Sequence, residues 1–408
     1  MTPQEALKKY FGYNSFRMGQ YEIIEAILNK ENVLTVLPTG GGKSLCYQIP
    51  AIISRGFSIV ISPLIALMKD QVDGLRSAGI NAEFINSSLP PYEIDRIIRD
   101  TEQGLVKLLY VAPERLENQQ FTEKIKQLKP DFLFVDEAHC ISEWGHNFRP
   151  GYLKIRDFIL YTGIKSVSAF TATATKEVRD DIVKQLNMDE PLVFVRGFER
   201  ENISLSVLEV KDKKSKTAEL LRVYGTPAII YAGSRKKAEE ISEYLAIRKI
   251  DNAFYHAGLP TEHRKRVQEQ FLSGKCKVIV ATNAFGMGID KEDVRLVIHF
   301  NMPGTIESYY QEFGRAGRDG KESFAVLLFE RADLRLQQFF IDSNYPKKEL
   351  VATLYDALLD SVSIQMGQLP DKVLKIDYNL VNLIYGKEIQ RGTFIGALNI
   401  LEKAGYLA

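Results

Sequence analysis

At 408 residues the chain is long enough for two or three domains by the rough rule of ~150 residues each, and 45% apolar residues supply a large core. Lys plus Arg at 53 against Asp plus Glu at 52 leave a net charge of +1, so any polyanion must be met by local basic surface. The three scattered cysteines, Cys46, Cys140 and Cys276, exclude a disulfide framework, and no signal core or apolar run of ~18 residues suggests export or a membrane span. A cytoplasmic protein without membrane contact is expected.

Short β-branched runs alternate with amphipathic stretches, the pattern of an α/β fold with parallel strands. The first run, residues 33–37, enters Pro38-Thr39-Gly40-Gly41-Gly42-Lys43-Ser44. Small residues there let backbone N–H groups converge on phosphate oxygens, and the following helix offers its N-terminus to their charge. Lys43 would reach the β/γ-phosphates and Ser44 would bind magnesium. The full pattern asks for glycine where this chain has Leu37, so the turn alone leaves a chance glycine-rich loop open. Ser58–Ile61 and residues 107–111 read as further strands, and Phe132–Val135 delivers Asp136-Glu137-Ala138-His139 beside that turn. Asp136 would hold magnesium through its water shell. Glu137 would orient or deprotonate an attacking water, because phosphoryl transfer needs positioning and charge neutralisation.

The pattern stops near residues 197–202 and restarts with strand candidates at Ala228–Tyr231, 253–256, 277–281, 296–300 and 324–329. Between the layers, Lys211-Asp212-Lys213-Lys214-Ser215-Lys216 reads as a solvated turn. In the second layer Gln311-Glu312-Phe313-Gly314-Arg315-Ala316-Gly317-Arg318 places two arginines three apart, on one helix face. An arginine entering from a second lobe stabilises charge on a transferring γ-phosphoryl.

With those motifs in order, the chain up to about Arg331 resembles the RecQ family of DNA helicases, within helicase superfamily 2. The resemblance rests also on Phe11-Gly12-Tyr13-Asn14-Ser15-Phe16-Arg17-Met18-Gly19-Gln20, Ser62-Pro63-Leu64-Ile65-Ala66-Leu67-Met68-Lys69-Asp70-Gln71, Ala112-Pro113-Glu114-Arg115-Leu116 and Thr171-Ala172-Thr173-Ala174-Thr175. Most particular to the family is Cys140-Ile141-Ser142-Glu143-Trp144-Gly145-His146-Asn147-Phe148-Arg149-Pro150. That segment interleaves the only tryptophan with His146, Phe148 and Arg149, and a base stacked on an aromatic face gains ~1–3 kcal/mol whatever its identity. The resemblance implies that Tyr13, Arg17 and Gln20 recognise adenine, Tyr13 by stacking and Gln20 by bonds to the base edge, which makes ATP the fuel. It implies that Ser62, Lys69 and Gln71 grip the DNA backbone on the first lobe. Ser234 and Arg235, with His256 and Gly258 nearby, would do so on the second, although Ser234 also reads as a helix N-cap. Of the two arginines, the family motif favours Arg318 as the finger.

The resemblance implies two tandem RecA-like lobes, 1–203 and 204–342, followed by a helical region, 343–408. Most family members carry a four-cysteine zinc module after the arginine helix. Beyond His299 this chain has no cysteine or histidine, so no zinc is expected. Residues 346–362 are helical by the spacing of Leu350, Leu354 and Leu358, and Phe394, Leu398 and Leu401 share a second helix face that Gly405 would cap. With a strand beginning at Tyr406-Leu407, the region looks like an incomplete winged helix, and the chain reads as either unusual or cut short of a wing. The implied activity is 3′-to-5′ movement on single-stranded or forked DNA, driven by ATP and Mg2+, by a monomer active in recombination or repair, with protein partners open. Alternatives are a duplex translocase that does not separate strands, a scaffold that binds ATP without turning it over, and RNA in place of DNA.

Overall fold

The computed structural model describes residues 1–38, 40–142, 148–196, 199–286, 291–364, 373 and 375–407. One compact unit comprises residues 1–208 and 212–328, and a second comprises 209–211 and 329–408.

The first unit holds two sheets. Seven strands, β1 (Val33–Val36), β2 (Ser58–Ile61), β3 (Ala82–Ile85), β4 (Leu108–Val111), β5 (Phe132–Val135), β6 (Val167–Thr171) and β7 (Leu192–Val195), form one in the order β3-β4-β2-β5-β6-β1-β7. Every pairing in it is parallel. Parallel sheets need both faces covered, and β1, β2, β4, β5 and β6 are buried at every position. In β5, Phe132 and Phe134 enter one core with Tyr47 and Phe170, while Leu133 and Val135 enter the opposite core with Ile59 and Ile61. This two-residue alternation is the pleat itself. Strand order sets function here: β6 separates β1 from β5, so the glycine-rich turn after β1 and the acidic pair after β5 emerge from the same sheet edge, flanking residues 172–175. Such crevices at the carboxyl ends of parallel strands are where α/β sheets take ligands.

Six strands, β8 (Ile203–Glu209), β9 (Ala228–Tyr231), β10 (Ala253–Tyr255), β11 (Val278–Ala281), β12 (Leu296–His299) and β13 (Ser323–Phe329), form the other sheet in the order β10-β11-β9-β12-β13-β8. Pairings from β10 to β13 are parallel. The chain is thus α/β with two tandem parallel-sheet domains. The lysine-rich junction departs from the solvated turn expected of it. Asp212 Oδ1 accepts from Ser215 N at 3.1 Å and starts helix Lys213–Tyr224, and Lys213 is buried, its Nζ donating to Phe300 O at 2.8 Å. Asp212 is an N-cap, and a long lysine stem can bury its methylenes while its head finds a carbonyl.

In the second unit, helices Lys348–Ser361, Tyr378–Tyr385 and Arg391–Lys403 share a core of Leu354, Leu358, Val381, Phe394, Ala397 and Leu401. Gly405, at φ +76°, ends the last helix: Tyr406 N donates to Leu401 O at 2.8 Å and Gly405 N to Glu402 O at 2.9 Å. That is the double-bonded turn expected of a glycine just past a helix. Tyr406 and Leu407 stay in this turn rather than opening a strand, since no described strand pairs with them. Among the described residues, no helix is long and apolar enough to cross a membrane.

Candidate functional site

A cavity of about 810 Å³ opens in the first unit, and its wall brings together most of the residues singled out in the sequence. Gly40, Gly42, Lys43 and Ser44 line it after β1, Asp136 and Glu137 after β5, Tyr13, Arg17 and Gln20 from the N-terminal segment, and Arg315 and Arg318 from the second sheet's side. Thr39 lies outside the described residues.

The glycine turn is fastened from the N-terminal segment. Arg17 Nη1 donates to Gly40 O. Gln20, almost fully buried, accepts from Arg17 N at 2.8 Å through Oε1 and donates through Nε2 to Gly41 O at 3.2 Å and Gly42 O at 3.3 Å. Gln20 therefore closes the loop, a use the sequence did not suggest, while its Oε1 retains a second lone pair. Gly42 sits at φ +77° and a Cβ there would overlap Gln20 Nε2. Gly42→Ala should weaken nucleotide binding roughly tenfold, from about 1–2 kcal/mol of left-handed strain plus displacement of Gln20. Isothermal titration with a non-hydrolysable nucleotide checks this, and unchanged affinity would mean the loop tolerates a side chain.

Lys43 Nζ rests on Leu37 O at 3.1 Å. Burial lowers its pKa, opposed by the Glu137 and Asp136 carboxylates and reinforced by the like charge of Arg318. Asp136 shows the converse: burial first, then repulsion from Glu137, pushes it up to about 7, against the pull of Lys43. Two carboxylates at close quarters facing one ammonium call for more positive charge, and a divalent cation fits that deficit. P-loop magnesium needs only one or two protein oxygens beside water and phosphate, which Ser44 and Asp136 would supply. Glu137 Oε2 is buried with no hydrogen bond of good geometry, and the His139 ring lies beside it, with Nδ1 3.4 Å away.

Glu137 adopts φ +48°, a left-handed conformation that costs a residue with a Cβ about 1–3 kcal/mol. The turn is pinned at several points. Asp136 Oδ1 accepts from Glu137 N at 3.0 Å, Cys140 N donates to Glu137 O at 2.9 Å, and the buried Tyr152 hydroxyl donates to Asp136 O at 2.9 Å. Tyr152 was invisible in the sequence, where nothing separates it from an ordinary core aromatic. His139 Nδ1 is 2.9 Å from Thr171 Oγ1, and that hydroxyl donates onward to Thr173 O at 3.0 Å. With the single hydroxyl proton committed, His139 Nδ1 must carry the hydrogen it shares with Thr171. Gln311 Nε2 reaches Thr173 Oγ1 at 3.4 Å, joining helix Ile306–Phe313 to the same network; the helix ends at Phe313, so Arg315 and Arg318 lie in the turn beyond it and not on one helix face as expected.

The two arginines occupy different niches. Arg318 Cγ lies 3.3 Å from where a Gly40 Cβ would stand, directly against the phosphate turn. Arg315 is 6% exposed, and its guanidinium approaches Tyr231, whose hydroxyl donates to Phe285 O at 3.0 Å.

The residues expected to meet nucleic acid are more dispersed. Trp144 and His146 lie outside the described residues. Arg149 Nη1 donates to Pro63 O at 2.6 Å, which links the aromatic segment to Ser62-Pro63, and Phe148 is half-buried beside it in sequence. Ser62 is buried, Lys69 is exposed, and Gln71 accepts from Gln48 at 2.9 Å on the cavity wall. Ser234 caps helix Arg235–Ile247 through Lys237 N at 3.2 Å. Arg235 is exposed, with Nη1 3.0 Å from the Cβ position of Gly258, and His256 pairs with Glu239 at 2.9 Å.

Two parallel-sheet lobes with a phosphate turn, an acidic pair and opposed arginines in one cleft define the architecture of a superfamily 2 helicase. Residues 17–181 match the DEAD/DEAH box helicase family and residues 212–320 the helicase conserved C-terminal domain. ATP-dependent DNA helicase RecQ of Bacillus subtilis is 45% identical over 346 residues, 84% of this chain and 58% of that protein. The probable ATP-dependent DNA helicase RecS of the same organism is 39% identical over 377 residues, 91% of this chain and 76% of that protein. The Mycobacterium smegmatis helicase Lhr, solved with ssDNA and AMP-PNP, shares the fold at a TM-score of 0.64 and 19% identity, over 97% of this chain and 57% of that one. The chain belongs to the RecQ helicase family. It spans a little over half the length of the RecQ relatives it matches.

Proposed function

We propose that the chain is an ATP-dependent DNA helicase that moves 3′-to-5′ on single-stranded DNA and separates duplexes in recombination or repair, as a cytoplasmic monomer. The observation that carries this reading is the single cleft in which Lys43, Asp136, Glu137 and Arg318 converge from both lobes. In it, Tyr13, 53% exposed at the cleft, stacks on adenine, and Arg17 and Gln20 hold the phosphate turn against the base. Backbone amides of residues 40–44 and the Lys43 ammonium bind the triphosphate. Mg2+, when held by Ser44 and Asp136, neutralises phosphate charge. Glu137 orients and deprotonates the attacking water, and Arg318 meets the charge that develops on the γ-phosphoryl, with Arg315 behind it. The lobes, 1–203 and 204–342, close on ATP and relax after hydrolysis, while the region 343–408 supports duplex engagement.

Arg149 and Cys140 connect this chemistry to the strand, because Arg149 N donates to Cys140 O at 2.8 Å and Cys140 N to Glu137 O at 2.9 Å. Single-stranded DNA held by Trp144, His146, Phe148 and Arg149, and by Ser62, Lys69, Gln71, Ser234 and Arg235, would be felt at Glu137 through that path. Trp144→Ala should leave DNA-free hydrolysis within about twofold and reduce its stimulation by single-stranded DNA roughly tenfold to a hundredfold, from ~1–3 kcal/mol of lost stacking. Phosphate release with and without a single-stranded oligonucleotide, followed by displacement of a labelled strand from a fork, tests the whole reading. DNA-independent hydrolysis or failure to displace any strand would overturn it.

A further inference from the structure

Arg196 and the pair Arg200 and Asn202, between the two sheets, bond to elements that carry the cleft. Arg196 N donates to Val36 O at 3.1 Å, on the strand that enters the phosphate turn, and its Cδ lies 2.8 Å from the Cβ position of Gly19. Arg200 Nη1 donates to Gly314 O at 3.0 Å, and Nη2 to Ala316 O at 2.8 Å and Gly317 O at 3.2 Å. Asn202 Nδ2 adds bonds to Gly317 O at 2.8 Å and Lys321 O at 2.9 Å. The carbonyls just past helix Ile306–Phe313 have no intrahelical partners and lie at the negative end of its dipole, so a planar cation is well matched to them. Five hydrogen bonds from two side chains therefore hold the turn that carries Arg315 and Arg318. That turn has little room to move. Gly317 sits at φ +55°, and a Cβ there would stand 2.7 Å from Ser323 Oγ and 2.8 Å from Lys321 O.

We propose that Arg200 and Asn202 are positioning residues for hydrolysis, suspending the arginine turn from the inter-lobe segment so that Arg318 meets the phosphate turn in a register that the segment sets. Neither side chain reaches the cleft's reacting groups; both act through Arg318. Arg196 is likewise bonded to β1, so described residues on either side bear on two walls of one site. This inference rests on the reading of the cleft as an ATPase site.

The test is single-turnover hydrolysis by the full chain with enzyme in excess, which resolves slow variants, for Arg200→Ala, Arg200→Lys, Asn202→Ala, Arg318→Ala and the doubles with Arg318→Ala. Displacing a catalytic group by about an ångström can cost ~10²-fold, so Arg200→Ala should lower the rate roughly tenfold to a hundredfold. Affinity for a non-hydrolysable ATP analogue should stay within about twofold of native. Arg200→Lys should recover only part of the rate, since an ammonium donates from a single nitrogen and lacks the planar fork that serves Gly314 O from Nη1 and the Ala316 and Gly317 carbonyls from Nη2. In the Arg318→Ala background, Arg200→Ala and Asn202→Ala should cost nothing further, because groups acting through one another are non-additive. Native turnover by Arg200→Ala, multiplying losses in the doubles, or weakened analogue binding that accounts for the whole effect would each overturn the proposal. Should Arg200→Ala fail to fold, Asn202→Ala and Arg200→Lys carry the same cycle. Absence of hydrolysis by the native chain would instead overturn the ATPase reading beneath it.

Discussion

A Glu137→Gln protein should bind ATP with native affinity and hydrolyse it ~10²–10⁴-fold more slowly, the range that a positioned general base contributes. Glutamine preserves the shape of the side chain and removes only its charge and basicity. The backbone that places it is held independently, by Asp136 Oδ1, Cys140 N and Tyr152 against Asp136 O, so the turn should survive the substitution. Loss of the Glu137 charge also relieves the repulsion that helps hold Asp136 up near 7, which leaves Asp136 more fully ionised at neutral pH. Lys43→Ala should behave differently and lose nucleotide binding together with turnover, because it removes a contact made in the ground state. Titration with a fluorescent analogue beside single-turnover hydrolysis separates the two cases. Hydrolysis by Glu137→Gln at the native rate would remove Glu137 from the chemistry.

Arg318→Ala should retain ATP binding and lose ~10³–10⁵ in hydrolysis, the range attached to arginine fingers in phosphoryl transfer. The assignment follows from placement. Arg318 lies against Gly40 and lowers the pKa of Lys43 through space, so its charge is sensed where the phosphates would lie. Arg315 is turned toward Tyr231 and toward Gly286, with Nη2 3.3 Å from the Cβ position of that glycine. Arg315→Ala should therefore reduce turnover less, by loosening its neighbour's support. Should Arg315→Ala prove inactive while Arg318→Ala turns over freely, the roles are reversed.

The residues that line the cleft were easier to read in the sequence than the contacts that hold them. Strands with apolar runs of three or four residues, such as 59–61 and Phe132–Val135, were legible because burial on both faces selects apolar side chains at successive positions. Ala82–Ile85 and Val167–Thr171 were not, since Glu83 on an outer strand and Ser168 and Thr171 within the sheet break the apolar signal. β7 and β8 are sheet edges with exposed side chains, so their pattern is weak for a physical reason. Helix Tyr378–Tyr385 also went unread, its start set by Asp377 accepting from Asn379 and Leu380 rather than by long periodicity. Lys43, Asp136 and Arg318 were visible because phosphate chemistry demands those residue types in fixed local patterns. Tyr152, Gln20's closure of the loop and the Arg200 clamp depend on contacts between distant segments, which no local pattern encodes.

The position of β1 in its sheet has a consequence for how the protein comes into being. Val33 is partnered on one side by Ser168 and on the other by Leu192. The strand that leads into the glycine-rich turn is thus synthesised well before either of the strands that flank it. Until residues 168–171 are available neither edge of β1 has a strand partner, one edge stays open until 192–195 follow, and closing such distant parallel pairings is slow. Nucleotide capacity should consequently arrive late and all at once during synthesis, with the apolar β1 waiting exposed in the interval, a period when chaperone protection matters most.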